Sequence, residues 1–304
     1  MADAAMMAQI AAKPGFVAAL DQSGGSTPAA LRRYGVPDNA YSGEAEMFAL
    51  VHAMRVRIMT APAFTGAKVI AAILFERTMD GEVEGLPTPT FLWKQRGVAP
   101  FLKVDQGLEA EKDGVRLMKP MPGLESLLDR AIARGVFGTK MRSVINLASP
   151  SGVEAIAAQQ FDLAAEIAGR GLIPIVEPEI AIDSPDKLAA ESLLRDAVLK
   201  RLAVLPAGMR VMLKLTLPDA PNFYAPLIGH DKVVRVVALS GGYSRADACR
   251  RLAANRGMIA SFSRALVEDL RQSMSDDAFD AALSQAIDEI YQASTVKTPG
   301  AAAG

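Results

Sequence analysis

The stretch MRVMLKLTLP, residues 209–218, places one ammonium group inside an apolar strand. Alternation puts Val211, Leu213, Leu215 and Leu217 on one face and Met212, Lys214 and Thr216 on the other. Taken alone, the pattern fits an edge strand with Lys214 in water. It equally fits a buried amine, which is chemically useful. A free lysine has a pKa of about 10.4, and burial beside a second cation favours the neutral, nucleophilic amine. Such an amine attacks a carbonyl to form an imine, and the protonated imine accepts the electrons of a breaking carbon–carbon bond. Dehydrating the carbinolamine needs an acid, and opening the bond needs a base near a hydroxyl; carboxylates supply both.

Residues suited to those roles recur at the ends of other apolar stretches. FVAALDQS ends in Asp21 and Ser23, and PFLKVDQ carries Lys103 and Asp105. VFGTKMRSV carries Lys140 and Arg142, and LIPIVEPEI carries Glu177 and Glu179. The i, i+2 spacing sets each within-strand pair on one face. Any single pair could be a surface ladder or a structural ion pair; repetition at the same end of several strands points to one shared site. LSGGYS, with Ser240, Gly241 and Gly242, and SFSRAL, with Ser263 and Arg264, suit a phosphate. Glycines let backbone N–H groups approach an anion, and an arginine offers a planar fork. DQSGGS forms a second candidate anion loop, with Lys103 and Arg142 nearby if the strands close on themselves. Two cationic poles flanking an amine suit an extended sugar bisphosphate.

Eight candidate strands must position these groups: 16–23, 67–75, 100–106, 136–144, 172–180, 210–217, 232–239 and 258–263. Segments of helical period lie between most of them, including 43–61, 122–135, 153–171, 192–205 and 244–257. The connection at 80–97 reads as a long loop, and 218–231 holds room for a short helix. Alternating strands and helices predict an α/β fold with parallel pairing. Eight units in about 250 residues predict a single-domain TIM (β/α)8 barrel; a doubly wound open sheet has the same local pattern. The expected organisation is one barrel over 1–292 with a short N-terminal extension and a flexible tail at 293–304.

Bulk composition narrows the function classes. The 304 residues carry 33 Lys and Arg against 34 Asp and Glu, a formal net charge of −1. That balance predicts no nucleic-acid or anionic-membrane partner. No apolar run approaches the roughly 18 residues of a membrane helix, and MADAAMMAQIAAK lacks the basic lead-in of a secretory signal. One cysteine, Cys249, excludes an intramolecular disulfide and fits a reducing cytoplasm. Two isolated histidines, His52 and His230, argue against a histidine-rich metal site.

In this order the segments resemble class I fructose-bisphosphate aldolases of the short bacterial form, over most of residues 14–292. The resemblance implies Lys214 as the imine-forming lysine and Glu177 as the main acid/base, supported by Glu179. It implies Asp21 as the residue aiding carbon–carbon cleavage and Lys140 as the cation beside the nucleophile. It places phosphates at Ser240, Gly241, Gly242, Ser263 and Arg264 on one side, and at Ser23, Ser26, Lys103 and Arg142 on the other. The implied reaction is reversible cleavage of fructose 1,6-bisphosphate to dihydroxyacetone phosphate and glyceraldehyde 3-phosphate. No cofactor or metal is implied beyond the covalent Schiff base, and a homo-oligomer is. The chain departs from the family pattern at Gln22, Met141 and Ser263, and at Ala30, where a phosphate-binding arginine is expected and Arg32 or Arg33 stands close by. The tail TVKTPGAAAG has no tyrosine of the kind that gates longer relatives. Another Schiff-base lyase or transferase, a metal-dependent aldolase and a non-catalytic binding barrel are the alternatives to be separated.

Overall fold

A computed structural model describes residues 3–298, the Ser26 side chain excepted. Eight parallel strands carry the fold: β1 (Phe16–Leu20), β2 (Val69–Leu74), β3 (Ala99–Lys103), β4 (Gly138–Ile145), β5 (Ile173–Ile180), β6 (Val211–Thr216), β7 (Val233–Leu239) and β8 (Met258–Phe262). β1 pairs with both β2 and β8, and β3 pairs with both β2 and β4, so the sheet closes into a barrel. Closure removes the open-sheet alternative. It also removes the edge-strand reading of Lys214, because β6 lies between β5 and β7.

The main helices are α1 (Ala4–Ala12), α2 (Ser26–Tyr34), α3 (Gly43–Thr60), α4 (Leu124–Ala133), α5 (Pro150–Gly169), α6 (Lys187–Val204), α7 (Arg245–Ala253) and α8 (Asp276–Thr295). Their starts follow local chemistry. Ser149 caps α5 by accepting the Gly152 N–H at 3.2 Å, with Pro150 supplying a preset φ in the first turn. Ser275 caps α8, whose first turn carries Asp276 and Asp277 where the helix dipole favours negative charge.

Strands buried on both faces explain the near-continuous apolar runs. Outward residues such as Val211, Leu213, Leu215 and Leu217 join the core beneath the helices. Inward residues Val17, Ala19, Ile73, Phe101, Ile175, Met212, Val237 and Ile259 form a separate plug inside the barrel. Helix α1 closes the N-terminal mouth: Met6 and Ile10 enter the plug, and Gln9 Nε2 donates to Ile70 O and Gly97 O, each at 2.8 Å. Gly138 keeps the plug thin under β4, where a Cβ would lie 2.2 Å from Ile173 O and 2.5 Å from the Phe101 ring.

The structure differs from the sequence expectation in two places. Residues 80–97 are not an open loop; they hold a tiny hairpin, Glu82–Val83 with Leu86–Pro87, and a helical segment from Thr88 to Arg96. Glu84 and Gly85 turn the hairpin with φ of 50° and 76°, the geometry a tight two-residue connection demands. At the other end, α8 runs through Thr295, past the expected boundary at 292. Lys297 is tied down as well, its Nζ donating to Leu252 O at 3.1 Å, Met258 O at 2.7 Å and Ala293 O at 2.9 Å. Those residues belong to the body of the protein; the expectation for 299–304 lies outside the described residues.

Candidate active site

Moving two residues along each strand from the plug toward the C-terminal mouth replaces apolar side chains by charged ones. Ala19 gives way to Asp21, Phe101 to Lys103, Gly138 to Lys140, Ile175 to Glu177 and Met212 to Lys214. The period-2 alternation keeps all of them pointing inward, and the C-terminal end is where barrels carry their chemistry. They line a cavity of about 990 Å³.

At its floor the groups form a connected chain. Lys214 Nζ lies 2.9 Å from Glu177 Oε1, Lys140 Nζ lies 3.0 Å from Glu177 Oε2, and Lys140 Nζ lies 2.6 Å from Asp21 Oδ2. All four side chains are at least nine-tenths buried, so their charges must be satisfied by one another. Burial pushes the Asp21 carboxyl up, but Lys140 and Lys214 outweigh it and hold the group well below the usual carboxylate range. Glu177 is lowered by the same balance, burial being overcome by Lys140 and then Lys214. Burial would strip the proton from Lys140, yet Asp21, Glu177 and Asp105 reverse that and raise its pKa. Lys140 is therefore a fixed cation between two carboxylates.

The second layer lies nearer the mouth. Arg142 Nη1 meets Glu179 Oε2 at 2.8 Å, and Lys103 Nζ meets Asp105 Oδ1 at 2.8 Å. Burial raises the Glu179 pKa despite the pull of Arg142. Both expected phosphate cations thus hold carboxylate partners in this structure. Ser240, Gly241 and Gly242 line the same cavity with Ser263 and Arg264. Gly241 and Gly242 have φ of 62° and 132°, a left-handed path that glycine alone follows without strain. A Cβ on Gly242 would sit 3.6 Å from an Arg264 guanidinium nitrogen, so loop and arginine face each other. Ser263 Oγ accepts from Gln22 Nε2 at 2.5 Å, linking the mouths of β8 and β1. Ser23 lines the cavity; the expectation for the Ser26 side chain lies outside the described residues.

Of the two arginines near Ala30, only Arg33 lines the cavity. Arg32 is bound to Asp38, with Nη1 2.9 Å from Oδ1. Arg116 also lines the cavity and was not foreseen. Sequence reasoning missed Arg55 too, a fully buried α3 cation that bonds Thr78 Oγ1 at 2.7 Å and the carbonyl of Gln22. Burial lowers its pKa to about 10 against the opposing pull of Asp21, leaving it charged at neutral pH. It falls four residues after Val51 and three before Ile58, on the face of α3 that the fold buries. Among the described residues, no three or more His, Cys, Asp or Glu side chains are grouped to hold a metal ion, and no helix is long and apolar enough to cross a membrane.

A closed (β/α)8 barrel whose C-terminal mouth holds two buried lysines sharing one carboxylate suits the chemistry of a Schiff-base lyase. Residues 6–224 match the family described as "Fructose-bisphosphate aldolase class-I", and the chain belongs to that family. It is 58% identical over 281 residues to the "Fructose-bisphosphate aldolase class 1" of Synechocystis sp., covering 92% of this chain and 94% of that one. It is 52% identical over 286 residues to the protein of the same name from Porphyromonas gingivalis, covering 94% and 97%. A solved fructose-bisphosphate aldolase from Plasmodium falciparum shares the fold, with a TM-score of 0.78 at 20% identity over 98% of this chain and 95% of that one. The chain is thus a class I fructose-bisphosphate aldolase, a lyase acting on a sugar phosphate.

Proposed function

We propose that Lys214 forms the imine with C2 of fructose 1,6-bisphosphate and that the reaction proceeds without metal. The observation that carries this assignment is the sharing of Glu177 between Lys214 and Lys140 at 2.9 and 3.0 Å. Lys214 gives its proton to Glu177 and its amine attacks C2. Glu177 returns that proton to the carbinolamine oxygen and then carries a second one to it from the new C–N nitrogen, so that the oxygen leaves as water and a protonated imine remains. Asp21 accepts the C4 hydroxyl proton as the C3–C4 bond breaks, and the bonding electrons move into the iminium to give an enamine. Lys140 holds Asp21 and Glu177 ionised, ready to accept those protons. Glu179, with Arg142, supports the mouth of the same carboxylate layer.

One phosphate is proposed to bind Ser240, Gly241, Gly242, Ser263 and Arg264, with the C6 phosphate near Ser23 and Ser26. At the C6 pole Arg33 takes the place expected for an arginine at Ala30, since it lines the cavity while Arg32 is spent on Asp38. Lys103 and Arg142 join by exchanging carboxylate partners for phosphate oxygens. A cytoplasmic setting without nucleic-acid or membrane partners goes with this reading, supported by the single cysteine and the net charge of −1. Self-association as a homo-oligomer rests on the family resemblance. Lys214→Ala is the direct test: cleavage of fructose 1,6-bisphosphate should be lost in a folded protein, and undiminished turnover would refute the assignment.

A further inference from the structure

We infer that Thr216 is a positioning residue for the Lys214–Glu177 pair, acting through an interrupted seam between β5 and β6. β5 pairs with β4 along eight consecutive positions, from Gly138↔Ile173 to Ile145↔Ile180. β6 pairs with β7 up to Thr216↔Leu239. Between β5 and β6, however, the ladder has only two positions, Ile175↔Met212 and Val176↔Leu213. It stops one residue short of Glu177 and Lys214.

The sequence accounts for the interruption. Pro178 has no N–H to offer a ladder. The N–H groups of Ile173 and Ala181 donate to Phe137 O and Ile145 O on the β4 side of β5, so by alternation position 178 is one whose N–H would have faced β6. Beyond the gap one hydroxyl joins the strands again. Thr216 Oγ1 accepts from Ile180 N at 2.9 Å and donates to Ile180 O at 2.7 Å. Thr216 is only 1% exposed, so water does not compete for these bonds.

A continuous ladder fixes the spacing of neighbouring strands by itself. Here the spacing beside the reacting groups is set by a ladder on one side and a single hydroxyl on the other. Lys214 lies two residues before that hydroxyl on the same face of β6. The place of the amine relative to Glu177 therefore follows where Thr216 holds β6 against Ile180. This inference rests on the reading of Lys214 as nucleophile and Glu177 as its proton partner.

Thr216→Val keeps the shape of the side chain and removes the hydroxyl, stranding the buried N–H and C=O of Ile180. Thr216→Ser keeps the hydroxyl. Both should be compared with the wild type below their melting temperatures, by steady-state kinetics and by the rate of borohydride trapping with dihydroxyacetone phosphate. Thr216→Val should lower kcat and the trapping rate together by roughly tenfold or more, since a displacement of about 1 Å can cost some 10²-fold. KM should stay within about threefold, because the phosphate-binding groups lie on other loops. Thr216→Ser should restore most of both rates. A folded Thr216→Val that traps substrate at the wild-type rate would overturn the inference, as would a Thr216→Ser equally impaired. If Thr216→Val does not fold, Thr216→Cys replaces it, the thiol being a weak hydrogen-bonding group; wild-type trapping in that variant overturns the inference too. Failure of the wild type to trap at Lys214 would instead refute the underlying assignment.

Discussion

Glu177 and Lys214 face each other across the seam of two neighbouring strands, Oε1 2.9 Å from Nζ, on a carboxylate whose second oxygen lies 3.0 Å from Lys140. In the proposed mechanism one acid/base group thus serves the nucleophile while a fixed cation holds it ionised. Asp21 completes the chain on the far side of Lys140, at 2.6 Å. Two carboxylates with distinct surroundings allow separate roles, one at the imine and one at the breaking bond.

Replacing Lys140 by Met removes the cation that lowers both carboxyls. Their pKa values should rise, because burial then acts with less opposition. The acidic limb of the kcat/KM profile should move to higher pH, and kcat should fall by roughly 10²–10⁴-fold, the range for losing acid–base competence. An unmoved acidic limb in a folded Lys140→Met would contradict the role given to Lys140.

The same charges set the pH dependence of stability. Asp21 has a folded pKa below its ordinary 3.8, so its contribution is present above that value and is lost as pH falls through the folded one. Lys140 has a folded pKa above its ordinary 10.5, so its contribution is full below that value and is lost as pH rises through the folded one. Melting temperature against pH should fall on the acid side for the wild type and fall less steeply for Asp21→Asn. Parallel acid limbs would show that Asp21 is not held down in the folded protein.

Arg33 and Arg32 are neighbours in sequence with opposite fates. Arg33→Ala should raise KM for fructose 1,6-bisphosphate by roughly tenfold to a hundredfold, the cost of one charge-assisted hydrogen bond. Fructose 1-phosphate, lacking the C6 phosphate, should be nearly indifferent to it. Arg32→Ala should leave KM for both substrates nearly unchanged. Equal effects of Arg33→Ala on the two ketoses would place the side chain away from that phosphate.

Cys249 is half-buried on α7, and burial raises its thiol from 9.0 to about 11. At neutral pH its thiolate should be about a hundredfold scarcer than in an exposed cysteine. Labelling by a thiol reagent should be slow in the native protein, accelerate towards pH 11 and become rapid on unfolding. Fast native labelling at neutral pH would contradict this environment.

Much of the fold was legible because each strand carries its own local signal. Asp21, Lys140, Glu177 and Lys214 could be found because a charge at an inward strand position breaks an apolar alternation. Closure was less accessible, since it depends on distant pairings such as Leu102↔Thr139 and Val17↔Ser261. The hairpin at Glu82–Pro87 was hidden because strands of two residues have no period to read. Arg55 was hidden because a helical arginine commonly sits in water, and only the tertiary packing of α3 buries it. The seam at Thr216 was hidden for a different reason: its hydroxyl replaces backbone pairing, and sequence alone does not say which backbone groups lack a partner.

The central claim is that the Lys214 amine bonds covalently to the ketose. Borohydride reduction in the presence of dihydroxyacetone phosphate, followed by peptide mass spectrometry, tests it most directly. One reduced adduct is expected, located on Lys214 in MRVMLKLTLP and absent from Lys214→Ala. An adduct on Lys140 instead, or trapping that persists at full yield in Lys214→Ala, would contradict it.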